Sequence, residues 1–596
     1  MAIQSNFPVI KPSLLLDFAN TKQLDPRITF TRASTATYYN GVTTSKAEEN
    51  LLTYSQQFDN GAWQKGSSTV TADSIAAPDG TTTADTLTAS AGTALFPRIS
   101  PATLTGTANA VHIVSTYAKA GTIQYLQLAS AAGTAWHCNF DVTSGAGAVG
   151  TSSNCTGSIV DAGNGWFRCV VSYTPTTTDV RALFLIETSA SAARTATWNP
   201  VGTEALYLWG AQIEQRSSVT AYTATTTQAI RNYIPQLLTA ASGVARFDHN
   251  PTTDESLGLL IEEQRTNLLT YSEDFTTTWS VTRASISSNT IVAPDGTLTG
   301  DRLYESTAAS NTHYVAQTAS LTSGTTYTFS VYLKAGERTQ VRLRTTGTAS
   351  TSDIYFNLST GVITSSSTGS GTITSVGNGW YRCTATGSSD LTGSNNTLIM
   401  LLDGAGSSSY TGDGYSGIYI WGAQLEAGAF STSYIQTVAS QVTRSADAAS
   451  MTGTNFSSWY AVDQGTLFAD AVSNGGQVYA QIGVGSISDD RVSLYSLAPN
   501  FAVVSGSTTS AALGSTTLNN GTAAKLAGAY KTNDFALCIN GATVLTDTSG
   551  LLPAPTSLLI GARNSASPAN QLNGTIKKLA YYPMRMTNAN LQALTS

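Results

Sequence analysis

The sequence predicts an all-β protein made of tandem antiparallel β-sandwich (jelly-roll) domains, and three observations carry that prediction. The stretch Gly163-Asn164-Gly165-Trp166-Phe167-Arg168-Cys169 returns as Gly377-Asn378-Gly379-Trp380-Tyr381-Arg382-Cys383. Around both copies, apolar and polar residues of high β propensity alternate, as in Tyr327-Thr-Phe-Ser-Val-Tyr-Leu-Lys334 and Asp353-Ile-Tyr-Phe-Asn-Leu358. Gly, Asn and Ser turn signals separate these runs, and no convincing helical periodicity competes with them.

Four further signatures recur in the same order. Asn50-Leu-Leu-Thr-Tyr-Ser55 matches Asn267-Leu-Leu-Thr-Tyr-Ser272, Ala77-Pro-Asp-Gly-Thr81 matches Ala293-Pro-Asp-Gly-Thr297, and Lys119-Ala-Gly121 matches Lys334-Ala-Gly336. Tyr207-Leu-Trp-Gly-Ala-Gln-Ile-Glu214 matches Tyr419-Ile-Trp-Gly-Ala-Gln-Leu-Glu426. The offset falls only from 217 at Asn267 to 212 at Trp421. Two long copies are too few for a solenoid and read as two globular domains.

A length of 596 residues fits three large β domains. Only 11% of residues are charged, but 9 Trp and 26 Tyr supply cores that a disordered chain would lack. The net charge of -7, with no basic block, excludes the clustered cations that phosphate-backbone binding needs, so nucleic acid is not expected as a partner. No basic-then-apolar leader is visible, and no run reaches the roughly 18 apolar residues of a membrane span. Cys169 and Cys383 share a repeat position and read as small buried apolar residues. Cys138 and Cys155 flank the turn Ser144-Gly145-Ala146-Gly147 and could face each other across a hairpin, although the second copy has no matching pair.

In chain order, residues 1–45 carry short strand-like runs, Ser13-Leu-Leu-Leu-Asp-Phe-Ala19 and Asp25-Pro-Arg-Ile-Thr-Phe-Thr-Arg-Ala-Ser34, too little to fold alone. Residues 46–235 form jelly roll one, 236–265 a connecting segment, 266–445 jelly roll two and 446–596 a different β-sandwich. Within the last, Asp534 to Val544 reads as a hairpin turning at Asn540-Gly541, and Thr587 as the cap of a terminal helical turn.

The order Leu16-Asp-Phe18, Asp25-Pro-Arg-Ile-Thr-Phe-Thr-Arg-Ala-Ser34, Ala245-Arg-Phe-Asp248 and Gly258-Leu-Leu-Ile-Glu-Glu263 resembles the start of tailed-phage structural proteins of the head-spike or tail-fibre type. In such relatives the Thr-Arg-Ala-Ser and Arg-Phe-Asp segments are neighbours, so the resemblance implies that jelly roll one is inserted. Residues 1–45 and 236–265 are then expected to pair as a small β-rich collar, with the insertion at a turn such as Asn40-Gly41. The repeats resemble carbohydrate-binding, galactose-binding-like jelly rolls, and residues 446–596 resemble a concanavalin-like (laminin G-like) sandwich.

Site residues are scarce. Trp166, Trp209, Trp380 and Trp421 could stack on sugars, but β alternation inside repeated strands points to core packing. Trp63 and Trp279 follow less regular loops and are the freer aromatics. Asn164-Gly165 and Asn378-Gly379 read as tight turns. Glu273, Asp274 and Asp301 offer hard oxygens for calcium, yet the first two are matched by Gln56 and Gln57 in copy one, which points to solvated acids. Asp489-Asp490 reads as an exposed loop pair. His112, His137, His249 and His313 have no metal spacing, and no Gly-x-Ser-x-Gly elbow occurs. No catalytic, cofactor or metal residue is assigned, and the ligand-binding residues stay unidentified.

The expectation is a non-enzymatic virion fibre or spike, at the particle surface, held by its N-terminal region and binding host-surface glycans through its outer sandwiches. A decoration or adaptor protein that binds only other virion proteins is the alternative, and a glycan-cleaving tailspike the third reading. A homo-oligomer is expected because Leu14, Leu15, Leu16, Phe18, Leu259, Leu260 and Ile261 crowd segments too short to bury them. The trimeric order comes from the phage resemblance.

Overall fold

The computed structural model describes residues 11–596, apart from 144, 146, 476, 485–489, 519 and 564–570. The architecture is nearly all β, arranged as antiparallel sheets that pair face to face into sandwiches. Among the described residues the helices are short: Phe18–Thr21, Thr454–Ser457 and Asn588–Thr595. The last is capped as expected, Thr587 accepting from the Asn590 amide. Asn540 and Gly541 take the left-handed conformation (φ 48° and 72°) of the expected turn.

The two repeats share one topology. In copy one the first six-stranded sheet runs Thr156–Gly163, Trp166–Tyr173, His112–Ala120, Ala205–Glu214, Ala84–Ala89, Ser68–Ile75. Copy two repeats that order with Ser370–Gly377, Trp380–Ser388, Thr326–Ala335, Gly417–Ala427, Gly300–Glu305, Ala284–Ile291. The second six-stranded sheets also match: Ala148–Ser153, His137–Asp141, Tyr125–Ser130, Ala182–Glu187, Arg98–Pro101, Trp63–Gly66 against Val362–Thr368, Ser350–Asn357, Gln340–Thr346, Gly393–Leu401, Tyr314–Leu321, Ser280–Thr282. Each pair of sheets encloses its own apolar core, and Cys169 and Cys383 are fully buried at the same place in the two cores.

The remaining chain builds one central sandwich from three distant stretches. Its 8-stranded sheet includes Phe247–His249, Ser256–Ile261, Gly574–Tyr582, Gln464–Ser473, Ala523–Lys531 and Asp534–Ile539. Strand Leu14–Asp17 joins it, lying end to end with Ser256–Ile261 along the same edge of Gly574–Tyr582 (Leu14 opposite Tyr581, Leu259 opposite Ile576). In the facing 7-stranded sheet, Thr29–Thr31 pairs with Ala448–Thr452. Residues 11–45 and 236–265 do meet, as expected, with Ala36–Tyr38 on Leu238–Ala240 and Arg32 on Ala241 and Val244, but they also complete the sandwich that residues 446–596 were expected to form alone, so they are not a separate collar.

This corrects the physical argument for self-association. Leu14, Leu16, Phe18, Leu259 and Ile261 enter the core of the central sandwich, and Leu260 is also buried. Of the apolar residues expected to seek a second chain, Leu15 alone is exposed, at 52%.

Both jelly rolls are insertions into this sandwich, each carried on a short two-stranded stem. Ala36–Tyr38 pairs with Leu238–Ala240 and Thr44–Asn50 with Ile230–Pro235 at the base of copy one, and the chain turns between these stem strands at Asn40-Gly41. Arg265–Asn267 pairs with Val442–Arg444 at the base of copy two.

Where the stems meet, the segments singled out in the sequence converge on a buried charge cluster. Asp447 accepts from Arg32 Nη1 at 3.0 Å and Arg246 Nη2 at 2.6 Å, while Arg246 Nη1 lies 2.8 Å and Arg444 Nη1 3.7 Å from Glu262 Oε2. All five residues are at most 5% exposed. Arg32 also donates to the carbonyls of Ala241 and Val244, and Ser433 donates both its amide and its hydroxyl to Glu262. Burial alone would raise the Glu262 carboxyl, but Arg444, Arg246 and the Ser433 donors outweigh it and hold the group at about 2.

Candidate functional site

The repeated signatures account for one another as scaffold. Asn50 Nδ2 donates to the carbonyls of Ala211 and Thr223 while its Oδ1 accepts from Leu52 and Ile213; Asn267 makes the same four bonds to Ala423, Ile435, Leu269 and Leu425. Gln212 and Gln424 pass this clamp on to Glu214 and Glu426, which accept from Thr220 and Thr432. These polar residues are fully buried or nearly so, and their partners satisfy the desolvated groups. The sequence displayed the motif without disclosing that role.

The repeated tryptophans are buried too, though not in the main cores. Trp166 and Trp380 (1% and 0% exposed) donate to the carbonyls of Ala76 and Val292, beneath the Ala-Pro-Asp-Gly turn. Trp209 and Trp421 donate to Thr83 and Thr299 just after it. All four lie on the outer face of the first sheet, in clusters with Tyr117 and Tyr222 or with Tyr332 and Tyr434. Leu208 and Ile420 point into the cores, so alternation puts Trp209 and Trp421 on the outer face, and the bulge at Gly210 and Gly422 (φ 62° and 64°) then resets the phase so that Ala211 and Ala423 return to the core. In copy two the cluster is sealed by Tyr39, Ala47, Ile234 and Leu237 from the stem of copy one.

Trp63 and Trp279, expected to be freer, are 2% and 5% exposed, bonded to the carbonyls of Tyr54 and Tyr271 and packed on Phe58 and Phe275. The loops before them are themselves repeat structure, with Tyr54 and Tyr271 at φ 50° and 49°. Asn164-Gly165 and Asn378-Gly379 are left-handed hairpin turns, and Lys119 and Lys334 donate to the carbonyls of Asn164 and Asn378.

The candidate calcium oxygens are committed elsewhere. Asp301 accepts from the amides of Phe275 and Asn289, as its counterpart Asp85 does from Phe58 and Asp73. Both are 1% exposed, and burial, only partly opposed by those amides, pushes both carboxyls up to about 6. Glu273 accepts from Tyr434 and Gln436, and Asp274 from Thr276. Among the described residues no group of three or more His, Cys, Asp or Glu side chains is placed to hold a metal ion. His112, His249 and His313 are buried and His137 is half-buried. Asp490 accepts from the amides of Gly506 and Ala554; Asp489 lies outside the described residues. Cys138 and Cys155 are unbridged thiols within bonding reach of each other, which raises the first and lowers the second.

What differs between the copies is the outer face of the second sheet. In copy two the registers align Tyr314, Met400, Arg342 and Tyr355 in one row across four strands, with Leu398, Arg344 and Asp353 in the next. Arg342 binds Asp353 through two bonds (2.6 and 2.5 Å) and lies over the Tyr355 ring at 4.9 Å. Tyr314, Arg342 and Tyr355 are half-buried, and Thr318 and Asn396 further along the face are exposed. The 402–416 loop touches the margin through Gly404, which accepts from Gln340, and then turns to pair Tyr410 with Asn311 and bond Glu305. The row in copy one reads Arg98, Leu185, Gln127 and Asn139, and there the 188–199 loop lies over it.

No protein-family model matches the chain, and no curated protein matches it. Two solved structures of the CBM40 module of a Ruminococcus gnavus IT-sialidase, one of them bound to α2,3-sialyllactose, show a weak likeness. Each is 16% identical with a TM-score of 0.20, and the match covers 23% of this chain and 84% of that chain.

Proposed function

We propose that the chain is a non-enzymatic glycan-binding protein of a tailed-phage particle, of the fibre or spike type, and that the outer face of the second sheet in copy two is its glycan platform. The observation that carries this reading is the row Tyr314, Met400, Arg342 and Tyr355, in which Tyr355 and Arg342 stand half-exposed side by side and Tyr314 half-exposed beyond the buried Met400. Tyrosine rings pack on the apolar face of a pyranose, while Arg342, held by Asp353, donates to hydroxyls without having to be ordered on binding. A shallow shelf of this kind gives a weak single contact, which several copies on one particle would raise by about 10²–10⁴ in avidity.

Binding rather than cleavage is proposed because Asp353, the carboxylate in these two rows, is engaged by Arg342. Attachment is assigned to the N-terminal region, where Leu15 stands exposed on the first strand of the central sandwich. The phage assignment rests on the resemblance of the segments around Arg32, Arg246 and Glu262, residues now seen in the buried charge cluster. Trimeric order rests on that resemblance alone.

A glycan array probed with the full-length protein and with Tyr355→Ala tests the reading. Binding that falls at least tenfold in the variant supports it. A blank array with co-sedimentation on virions favours the adaptor reading, and release of reducing sugar from host polysaccharide would establish cleavage.

A further inference from the structure

Copy one presents the same sheet face with a cover on it. Gln127 donates to Ala193 O at 3.1 Å and accepts from the Thr195 amide at 2.7 Å, and Asn139 donates to Ala192 O at 2.7 Å. Both side chains are fully buried beneath these backbone groups. A carbonyl and an amide presented to a side-chain carboxamide are the partners that the hydroxyls of a neutral sugar would replace, one for one.

The cover is closed at a cost. Glu187, where the loop leaves the sheet, is 1% exposed, and the group beside its carboxyl is the Ala196 amide, which is shared with a turn on Ala193 O at 3.2 Å. Where the loop rejoins the fold, the buried Nε1 of Trp198 is unpaired. Burial raises the Glu187 carboxyl to about 8. A buried carboxyl served by a shared amide and an unpaired buried indole N–H each forfeit hydration, and opening the loop would return water to both. At the Glu187 register copy two has Leu402, whose burial carries no such cost.

We propose that the 188–199 loop is a displaceable cover over a second glycan site, in which Gln127 and Asn139 take the hydroxyls of a neutral oligosaccharide once the loop's own backbone is withdrawn. The proposal rests on the reading that the outer faces of these sheets bind glycan, and Tyr355→Ala, which alters copy two only, reports on that reading separately.

The test uses full-length protein titrated by calorimetry with lactose, maltotriose and cellotriose. A variant with residues 190–195 replaced by Gly-Gly should bind at least one of the three with one more site per chain than the wild type, and that site should vanish with Gln127→Ala and Asn139→Ala. No added site in a variant whose melting is otherwise intact, or an added site that survives both alanines, overturns the proposal. Hydrogen exchange on the wild type keeps the question decidable if the shortened loop does not fold. The Thr195 amide should exchange at least about tenfold faster than amides of the Ala182–Glu187 strand, and equal protection overturns the displaceable cover. If wild-type binding is absent and Tyr355→Ala changes nothing, the copy-two reading fails, while the exchange result still judges the cover.

Discussion

In copy one, Gln127 and Asn139 give their amides to the chain's own loop, whereas in copy two the residues at the same register, Arg342 and Tyr355, stand half-exposed with that loop folded aside. Behind this difference the scaffolds agree bond for bond: Asn50 with Asn267, Asp85 with Asp301, Trp166 with Trp380. The repeated residues preserve the sandwich, and ligand specificity is to be sought where the copies diverge.

The largest loss is expected at the element the copies share, the charge cluster where their stems meet. Asp447→Ala leaves the Arg32 and Arg246 guanidinium groups buried without their common anion, and is expected to cost about 3–5 kcal/mol in chemical denaturation. A loss below about 1 kcal/mol would mean that the cluster does not hold the stems together. Next come the paired clamps: Asn50→Ala and Asn267→Ala should each cost roughly 2–3 kcal/mol, since each strands several buried backbone groups. Clearly unequal losses would end the equivalence of the copies.

Tyr355→Ala touches the residues in which the copies differ. It should cost under about 1 kcal/mol because the ring is half-buried, yet weaken glycan binding at least tenfold. The smallest effect lies along the pH axis. The carboxyls of Asp85 and Asp301 sit at about 6 when folded and near 3.8 when not, so the folded chain holds the extra protons. Their contribution to stability is full below about 3.8, falls as pH rises to about 6 and is level above that. Melting temperatures of Asp85→Asn and Asp301→Asn followed across that range should show equally flattened profiles. Glu262, depressed to about 2, works in the opposite sense, its stabilisation being lost as the pH falls from about 4.5 towards 2.

The fold class and the matching of the two copies were legible because strand alternation and turn residues are local in sequence. The left-handed turns at Asn164-Gly165 and Asn378-Gly379 and the Thr587 helix cap were readable for the same reason. The central sandwich was not legible as one body: Leu14 opposite Tyr581 is a pairing between the two ends of the chain, and no local pattern announces it. Alternation marked the tryptophans for burial but could not tell that the outer face of the sheet is also covered, so that Trp209 and Trp421 are buried outside the main cores. Nor could the open row be found, because Arg342, Tyr355 and Tyr314 adjoin only through registers between strands.

Leu14–Asp17, an edge strand of the central sandwich, is synthesised long before the strand it pairs with. The Ser13 amide bonds Tyr581 O at 2.9 Å, so at a synthesis rate of about 5–20 residues per second Leu14, Leu16 and Phe18 wait roughly half a minute to two minutes for their partner. Each jelly roll, by contrast, has all its strands within its own span and can close while the chain is still growing. Once folded, each insertion brings its two stem strands side by side, and a stretch of nearly two hundred residues then acts in loop closure as a short turn. The repeats thereby lower the entropic barrier that the ends of the chain must cross to meet. Weakening the Thr44–Asn50 and Ile230–Pro235 pairing should therefore slow formation of the central sandwich in refolding, even though neither strand belongs to it.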